Sequence, residues 1–282
     1  MDSGRIHRVN GLDLHLVEAG PKDGPLVILL HGFPEFSYGW RHQVGPLAEA
    51  GFRVAVPDQR GYARSDKPAG TGAYRLPILG ADVIGLADTF GRERFHLVGH
   101  DWGGIVAWWV AAAHPQRIDR LAIANAPHPD VVWPFIRRHP TQLLRSYYVA
   151  LFQMPGLAER LLEAGDYRAL RRALAATSRR GTFSDEDLDR YREAWSQPGA
   201  ITAMLNWYRA LVQRKTPPVG RVRAPTRIFW GKRDGALASG LAEASLAMCD
   251  AGAITWFPDA SHWVQHEERL AVSAGLLSHL RA

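Results

Sequence analysis

The sequence predicts an α/β fold in which a mostly parallel central sheet is flanked by helices and interrupted by an all-helical unit. Three observations carry that prediction. Over the first 130 residues, short β-branched and leucine-rich runs alternate with stretches of helical length, the pattern of a parallel sheet with right-handed crossovers. The alternation stops between Val131 and about Val219, where no strand is evident, and resumes at Thr226. The interruption also differs in charge. Residues 131–220 carry 14 Lys/Arg and 8 Asp/Glu, against 20 of each elsewhere, so the net charge of +6 belongs to the insertion. The expected division is 1–130 and 221–282 as two parts of one core, with 131–220 as a helical cap.

Ile6 to Ala19 alternates apolar and polar residues about Asn10-Gly11, a hairpin signal because both turn residues tolerate positive φ. Pro25 to Leu30 is continuously apolar and reads as a strand buried on both faces. A helix over Gly39–Glu49 and a strand over Phe52–Val56 follow, then a long loop through Asp58–Tyr62 and Ser65–Pro68. Leu76–Phe90 has helical periodicity, Phe95–Val98 reads as a strand, and Ile105–Ala113 is a helix closed by His114-Pro115. Arg120–Ala124 is another strand, closed by Asn125-Ala126-Pro127-His128-Pro129. Inside the insertion, helices are expected over Leu143–Phe152, Leu157–Ala164, Tyr167–Ala176, Ser184–Trp195 and Ala200–Val212. Ser184 and Asp187 have the spacing of an N-terminal cap, and Pro217-Pro218 closes the unit. Thr226–Trp230 and Ala253–Phe257 read as strands, and the chain from Glu268 as a helix.

At 282 residues, 46% hydrophobic and 22% charged, the chain has ordinary globular composition and room for a large core. A single cysteine, Cys249, rules out an internal disulfide framework and fits a reducing compartment. Met1-Asp2-Ser3-Gly4-Arg5 lacks the apolar segment of a signal peptide, and no apolar run reaches the roughly 20 residues of a membrane helix. A cytoplasmic protein without a membrane anchor is expected. Arg137-Arg138, Arg171-Arg172 and Arg179-Arg180 raise the question of nucleic acid. Acids and leucines at helical spacing interrupt them, and no aromatic-basic motif accompanies them. They read as solvated helix faces, with no nucleic-acid partner.

The chemistry centres on Val98-Gly99-His100-Asp101-Trp102-Gly103-Gly104, between a strand and a helix. Glycines on both sides of one central residue at such a junction make a nucleophile elbow. Its apex is Asp101. A carboxylate gains nothing from accepting an acyl group, but it can displace a leaving group from saturated carbon and form an alkyl-enzyme ester. In open parallel sheets, ligands bind beyond the carboxyl ends of the strands. Four such ends carry polar residues here: His31–Glu35, Asp101, Asp234 and His262. In triad logic His262 is the base for water and Asp234 its orienting partner, and the amides of Phe33 and Trp102 hold the oxyanion. Each residue also has a plainer reading alone: Asp101 as a helix cap, Asp234 as a turn residue before Gly235, His262 as a core histidine. The glycine frame and the order of the three favour catalysis. His262 and His266 are spaced like a metal pair, but no third ligand is evident, so neither a metal nor a cofactor is expected.

The runs His31-Gly32-Phe33-Pro34-Glu35 and Gly99-His100-Asp101-Trp102-Gly103-Gly104 resemble the two signature segments of α/β-hydrolase-fold epoxide hydrolases. The similarity covers essentially the whole chain, including Asp58–Gly61 and Ser65–Pro68. It implies an α/β-hydrolase fold, a Phe33-Pro34 peptide like one that is cis in the family, and two cap tyrosines that donate to the epoxide oxygen. Tyr148 and Tyr208 resemble that pair, while Tyr147 points about 100° away from Tyr148 on a helix. The resemblance also suggests Phe152 and Trp263 as pocket residues, whereas Trp108, Trp109, Trp195 and Trp207 read mostly as core. The implied partners are a small-molecule epoxide and water. Haloalkane and haloacetate dehalogenases share the aspartate elbow, but Phe33 and Trp102 depart from their halide-binding and carboxylate-binding positions. A non-catalytic receptor built on the same pocket is a third reading, disfavoured by the intact set of residues. Ala260-Ser261 before His262 departs from the family's usual Cys-Gly or Ala-Gly.

Overall fold

The computed structural model describes residues 4–213 and 218–282. Eight strands form one sheet: β1 (Arg5–Val9), β2 (Leu12–Ala19), β3 (Leu26–Leu30), β4 (Arg53–Pro57), β5 (Phe95–His100), β6 (Ile118–Ala124), β7 (Thr226–Gly231) and β8 (Gly252–Phe257). Their order is β1-β2-β4-β3-β5-β6-β7-β8. The β1–β2 hairpin turns at Asn10 and Gly11, both at positive φ, and pairs antiparallel with Val9 opposite Leu12. β2 pairs antiparallel with β4, and every pairing from β4 to β8 is parallel.

The central strands β3 and β5 are buried along their whole length, as expected of strands covered on both faces. The two faces are separated by the period of two along a strand. Ile28 and Leu30 join a core layer with Leu79, Val106 and Trp108, whereas Val27 and Leu29 join one with Trp40, Leu47 and Leu276. The helices supplying those layers are α1 (Arg41–Glu49), α2 (Leu76–Thr89) and α3 (Asp101–Ala113), with the C-terminal α12 (Arg269–Arg281) defined below.

Between β6 and β7 lie α4 (Pro129–Arg138), α5 (Thr141–Arg145), α6 (Tyr147–Phe152), α7 (Leu157–Thr177), α8 (Asp185–Trp195) and α9 (Ala200–Gln213). The described residues of this stretch contain no strand. α10 (Gly240–Leu246), α11 (Val264–Glu267) and α12 complete the chain. No helix among the described residues is long and apolar enough to cross a membrane.

Several local expectations need correction. The helix expected from Gly39 starts as a 3₁₀ turn at Ser37 and becomes α-helical only at Arg41. The single helix expected over Leu143–Phe152 is two, α5 and α6, broken at Ser146, whose ψ of 17° leaves the helical region. α4 was not anticipated. Pro129 sits at its N-terminus, where a missing N–H costs nothing, and Pro134 interrupts the periodic signal. The split between Leu157–Ala164 and Tyr167–Ala176 is present as a kink, where Gly165, Asp166 and Tyr167 are left-handed. Ser184 caps α8 together with Asp187, as their spacing predicted. Of the closing prolines, Pro217 lies outside the described residues.

The inserted helices are tied to the core beside the carboxyl ends of β3 and β4. The Trp195 indole donates to the Pro34 carbonyl (2.6 Å), and the Trp207 indole to the Arg60 carbonyl (3.0 Å). Two buried tryptophans thus fix α8 and α9 over the His31–Glu35 loop and the Asp58–Tyr62 loop.

Candidate active site

β5 ends at His100 and α3 begins at Asp101, so the chain reverses within one residue. Asp101 adopts the left-handed region at φ 49°, a conformation that short polar side chains tolerate better than others. The turn is crowded. A Cβ on Gly32 would collide with the Asp101 side chain, and one on Gly103 with the Leu30 carbonyl. The Phe33-Pro34 peptide is cis, and the Phe33 N–H donates to Asp101 Oδ1 (2.9 Å). Trp102 occupies the second position of α3, among the amides that lack an intrahelical partner.

His262 follows β8 and Asp234 follows β7, which brings both to the same edge of the sheet as Asp101. His262 Nε2 lies 3.5 Å from Asp101 Oδ2, and its Nδ1–H donates to Asp234 Oδ2 (2.7 Å). Asp234 is held in turn by the Asn125 amide on Oδ2 (2.7 Å) and by the Ala236 and Leu237 N–H groups on Oδ1. Burial alone raises the pKa of Asp101, but His262, His100 and the Phe33 N–H outweigh it and hold the carboxyl below its ordinary value. Asp234 is lowered in the same way by His262 and its amide donors. Burial also disfavours a charged His262, yet the Asp234 and Asp101 carboxylates prevail and keep the imidazolium well above the usual histidine range.

Two phenols from the inserted helices stand within electrostatic reach of Asp101. The rings of Tyr148 on α6 and Tyr208 on α9 are 6.0 Å apart. Tyr208 packs edge-on against Trp102 (4.9 Å) and Phe33 (5.2 Å), and Phe152 touches Tyr148, Tyr208 and Phe33. Burial, reinforced by the Asp101 charge, raises the pKa of both phenols. Tyr147 is 74% exposed, so only one of the adjacent tyrosines faces inward. Trp263 packs against His262 (5.1 Å), with its indole N–H donated to Thr177 at the end of α7.

The chain is similar to known proteins along most of its length. The α/β hydrolase fold family matches residues 25–269. The AB hydrolase superfamily protein YfhM of Bacillus subtilis is 45% identical over 96% of each chain. Epoxide hydrolase A of Mycobacterium tuberculosis is 33% identical, with 98% of this chain and 96% of that protein covered. The chain belongs to the epoxide hydrolase family of α/β-hydrolases. Solved epoxide hydrolases have the same architecture. One from Bacillus megaterium superposes with a TM-score of 0.90 over 99% of this chain and all of its own, at 27% identity. Epoxide hydrolase A of Mycobacterium thermoresistibile gives 0.86 at 31% identity, over 99% and 98% of the two chains.

Around this epoxide hydrolase-type site stands a buried polar layer that sequence reasoning did not resolve. Glu35 is fully buried and accepts from the Tyr191 hydroxyl (2.5 Å), the Gln265 amide (3.1 Å) and His266 Nε2 (2.7 Å). His100 lies between Glu35 and His262: its Nδ1 is 3.4 Å from Glu35, and its Nε2 donates to the His262 carbonyl (3.0 Å). His266, weighed as a metal partner of His262, spends its Nε2 on Glu35 instead. Ser261, the departure before His262, donates both amide and hydroxyl to Glu267.

In the sequence Asn125 reads only as punctuation after β6. It sits at φ 38°, donates to Asp234 and accepts the Gly231 N–H (2.9 Å), stitching β6 to β7 below the site. Asn125→Ala removes both bonds, leaves buried groups unpaired and replaces asparagine, which tolerates the left-handed φ, with alanine, which does so less readily. The expected destabilisation is about 1–3 kcal/mol, measured as a lower urea midpoint with an unchanged slope.

Proposed function

We propose that the protein hydrolyses epoxides to vicinal diols without a cofactor, in two steps through Asp101. In the first, Asp101 Oδ2 attacks an epoxide carbon, the C–O bond breaks, and the departing oxygen takes a proton from Tyr148 or Tyr208. In the second, His262 removes a proton from water. The resulting hydroxide adds to the ester carbonyl, the Phe33 and Trp102 amides hold the oxyanion, and collapse breaks the ester C–O bond: the departing diol oxygen takes the proton held by His262, and the new Asp101 carboxyl yields its proton to the tyrosinate left by the first step. Asp234 orients His262 throughout. Phe152 and Trp263 are read as walls of the substrate pocket, and residues 131–220 as the cap that carries the phenols.

The observation that carries this reading is the pairing of Tyr148 with Tyr208 over an aspartate whose other neighbour is a histidine. A phenol suits an alkoxide leaving group: its ordinary pKa of roughly 10 keeps it protonated at neutral pH while allowing it to donate to a stronger base. Burial pushes both phenols further toward the protonated form. A halide needs no proton, so this pair is superfluous to a dehalogenase.

The test follows from that difference. Tyr148→Phe and Tyr208→Phe are each expected to slow the opening of styrene oxide by about 10²-fold, read as the single-turnover alkylation rate. If both variants open epoxides at the parental rate, and the parent releases halide from alkyl halides, Asp101 serves a dehalogenase instead.

A further inference from the structure

The protein carries a second cleft, of about 730 Å³, whose walls include none of Asp101, Tyr148 or Tyr208. Its volume is that of a small-molecule site. Five arginines converge on it from separate elements: Arg41 of α1, Arg179 and Arg180 between α7 and α8, Arg190 of α8, and Arg269 of α12. Arg179-Arg180 read in the sequence as a solvated helix face. The fold turns both into one cavity with three arginines remote in sequence.

We propose that this cleft binds a small molecule carrying two or more clustered negative oxygens, a pyrophosphate or a polycarboxylate. Arginine is the side chain whose fork matches such groups, and the acids at the cleft leave Arg180 and Arg269 without a carboxylate partner among the described residues. Both carboxylates on the walls are already committed to partners. Asp187 accepts from Ser184 and Tyr38 and lies 3.2 Å from Arg41. Glu267 accepts from Ser261 and from the Arg179 backbone N–H. Arg179 and Arg190 reach Glu268 and Glu186 in exposed pairs, the weak kind that an arriving multivalent anion displaces readily. Arg180 and Arg269 are exposed, and neither guanidinium has a hydrogen-bond or carboxylate partner among the described residues.

Two further features fit an anion. His42 on the wall is pushed down to about 4 by burial and by Arg41, His266 and Arg269, against Asp187, so it stays neutral at pH 7 beside the arginines. The Tyr38 ring has the Arg41 guanidinium 4.5 Å from its centroid and that of Arg190 at 5.2 Å. With Tyr38 already engaged by two cations, recognition falls to the charged oxygens and not to a stacked base.

Binding can be measured without turnover, so the outcome is independent of the epoxide chemistry. Titration calorimetry with pyrophosphate, and separately with citrate, is run against sodium chloride of matched ionic strength. Saturable binding of at least one of the two anions is expected, and which one binds identifies the ligand class. The double variant Arg180→Glu/Arg269→Glu should weaken it at least about tenfold. Arg172→Glu, exposed and outside the cleft walls, should leave it within about twofold. Thermal unfolding of each variant confirms an intact fold. Absence of saturable heat with both anions, unchanged affinity in the double variant, or an equal loss in Arg172→Glu each overturns the assignment.

Discussion

Asp101→Asn should abolish diol formation, lowering kcat/KM by at least about 10⁴-fold, the scale on which nucleophile removal operates in other triads. The substitution isolates chemistry from folding. Asparagine tolerates the left-handed φ that the elbow imposes, whereas alanine would add strain at 49°. The amide oxygen can still accept the Phe33 N–H now on Oδ1. What disappears is the charge and the nucleophilic oxygen facing His262. The unfolding midpoint should therefore stay near that of the parent, and incubation with excess epoxide should leave the protein's intact mass unchanged. A variant that turns over at the parental rate would remove Asp101 from the mechanism altogether.

The features legible in the sequence are those written locally. The β3 and β5 runs are apolar because both faces are covered, and the glycines about Asp101 are demanded by backbone approach within a few residues. The order Asp101, Asp234, His262 follows the order of strand ends, so a correct reading of the strands brought the three together. Tyr148 and Tyr208 were legible only through family resemblance, since nothing in their spacing of 60 residues foretells rings 6.0 Å apart.

The parts that were not legible depend on contacts across the fold. Asn125 and Asp234 are 109 residues apart, and either alone looks like turn punctuation. Glu35 gathers Tyr191, Gln265 and His266 from two later segments, and neither its burial nor its partners leave a periodic trace. Arg179-Arg180 are exposed, as a solvated face requires, but lie in the turn between α7 and α8, and the arginines that share their cleft come from elsewhere in the chain. Charge on a predicted helix face says nothing of which other helices lean over it. The break at Ser146 shows the opposite failure: a continuous apolar stretch was read as one helix because composition does not record a local ψ.

His262→Gln should separate the two proposed steps. In the parent, Asp234 at 2.7 Å and Asp101 at 3.5 Å together hold the proton on His262 against the cost of its burial. Esterification of Asp101 removes one of those two charges. The His262 pKa then falls back, and the imidazole becomes free to accept a proton from water. Hydrolysis needs the neutral imidazole, so its rate should fall as pH drops through the pKa of the ester state and level off above it. Alkylation needs ionised Asp101, held low, and protonated phenols, held high, so it should be nearly flat through neutrality. Glutamine can still bond to Asp234 but cannot act as the base. The variant also deprives buried Asp101 of the partner that lowers its pKa, so the measurement belongs at about pH 8, well above an ordinary carboxylate. There, one equivalent of epoxide should be consumed and retained as a covalent adduct on Asp101, while steady-state turnover falls by about 10⁴-fold. Turnover lost with no adduct would mean that His262 serves the first step as well. Turnover retained would mean that another group activates water.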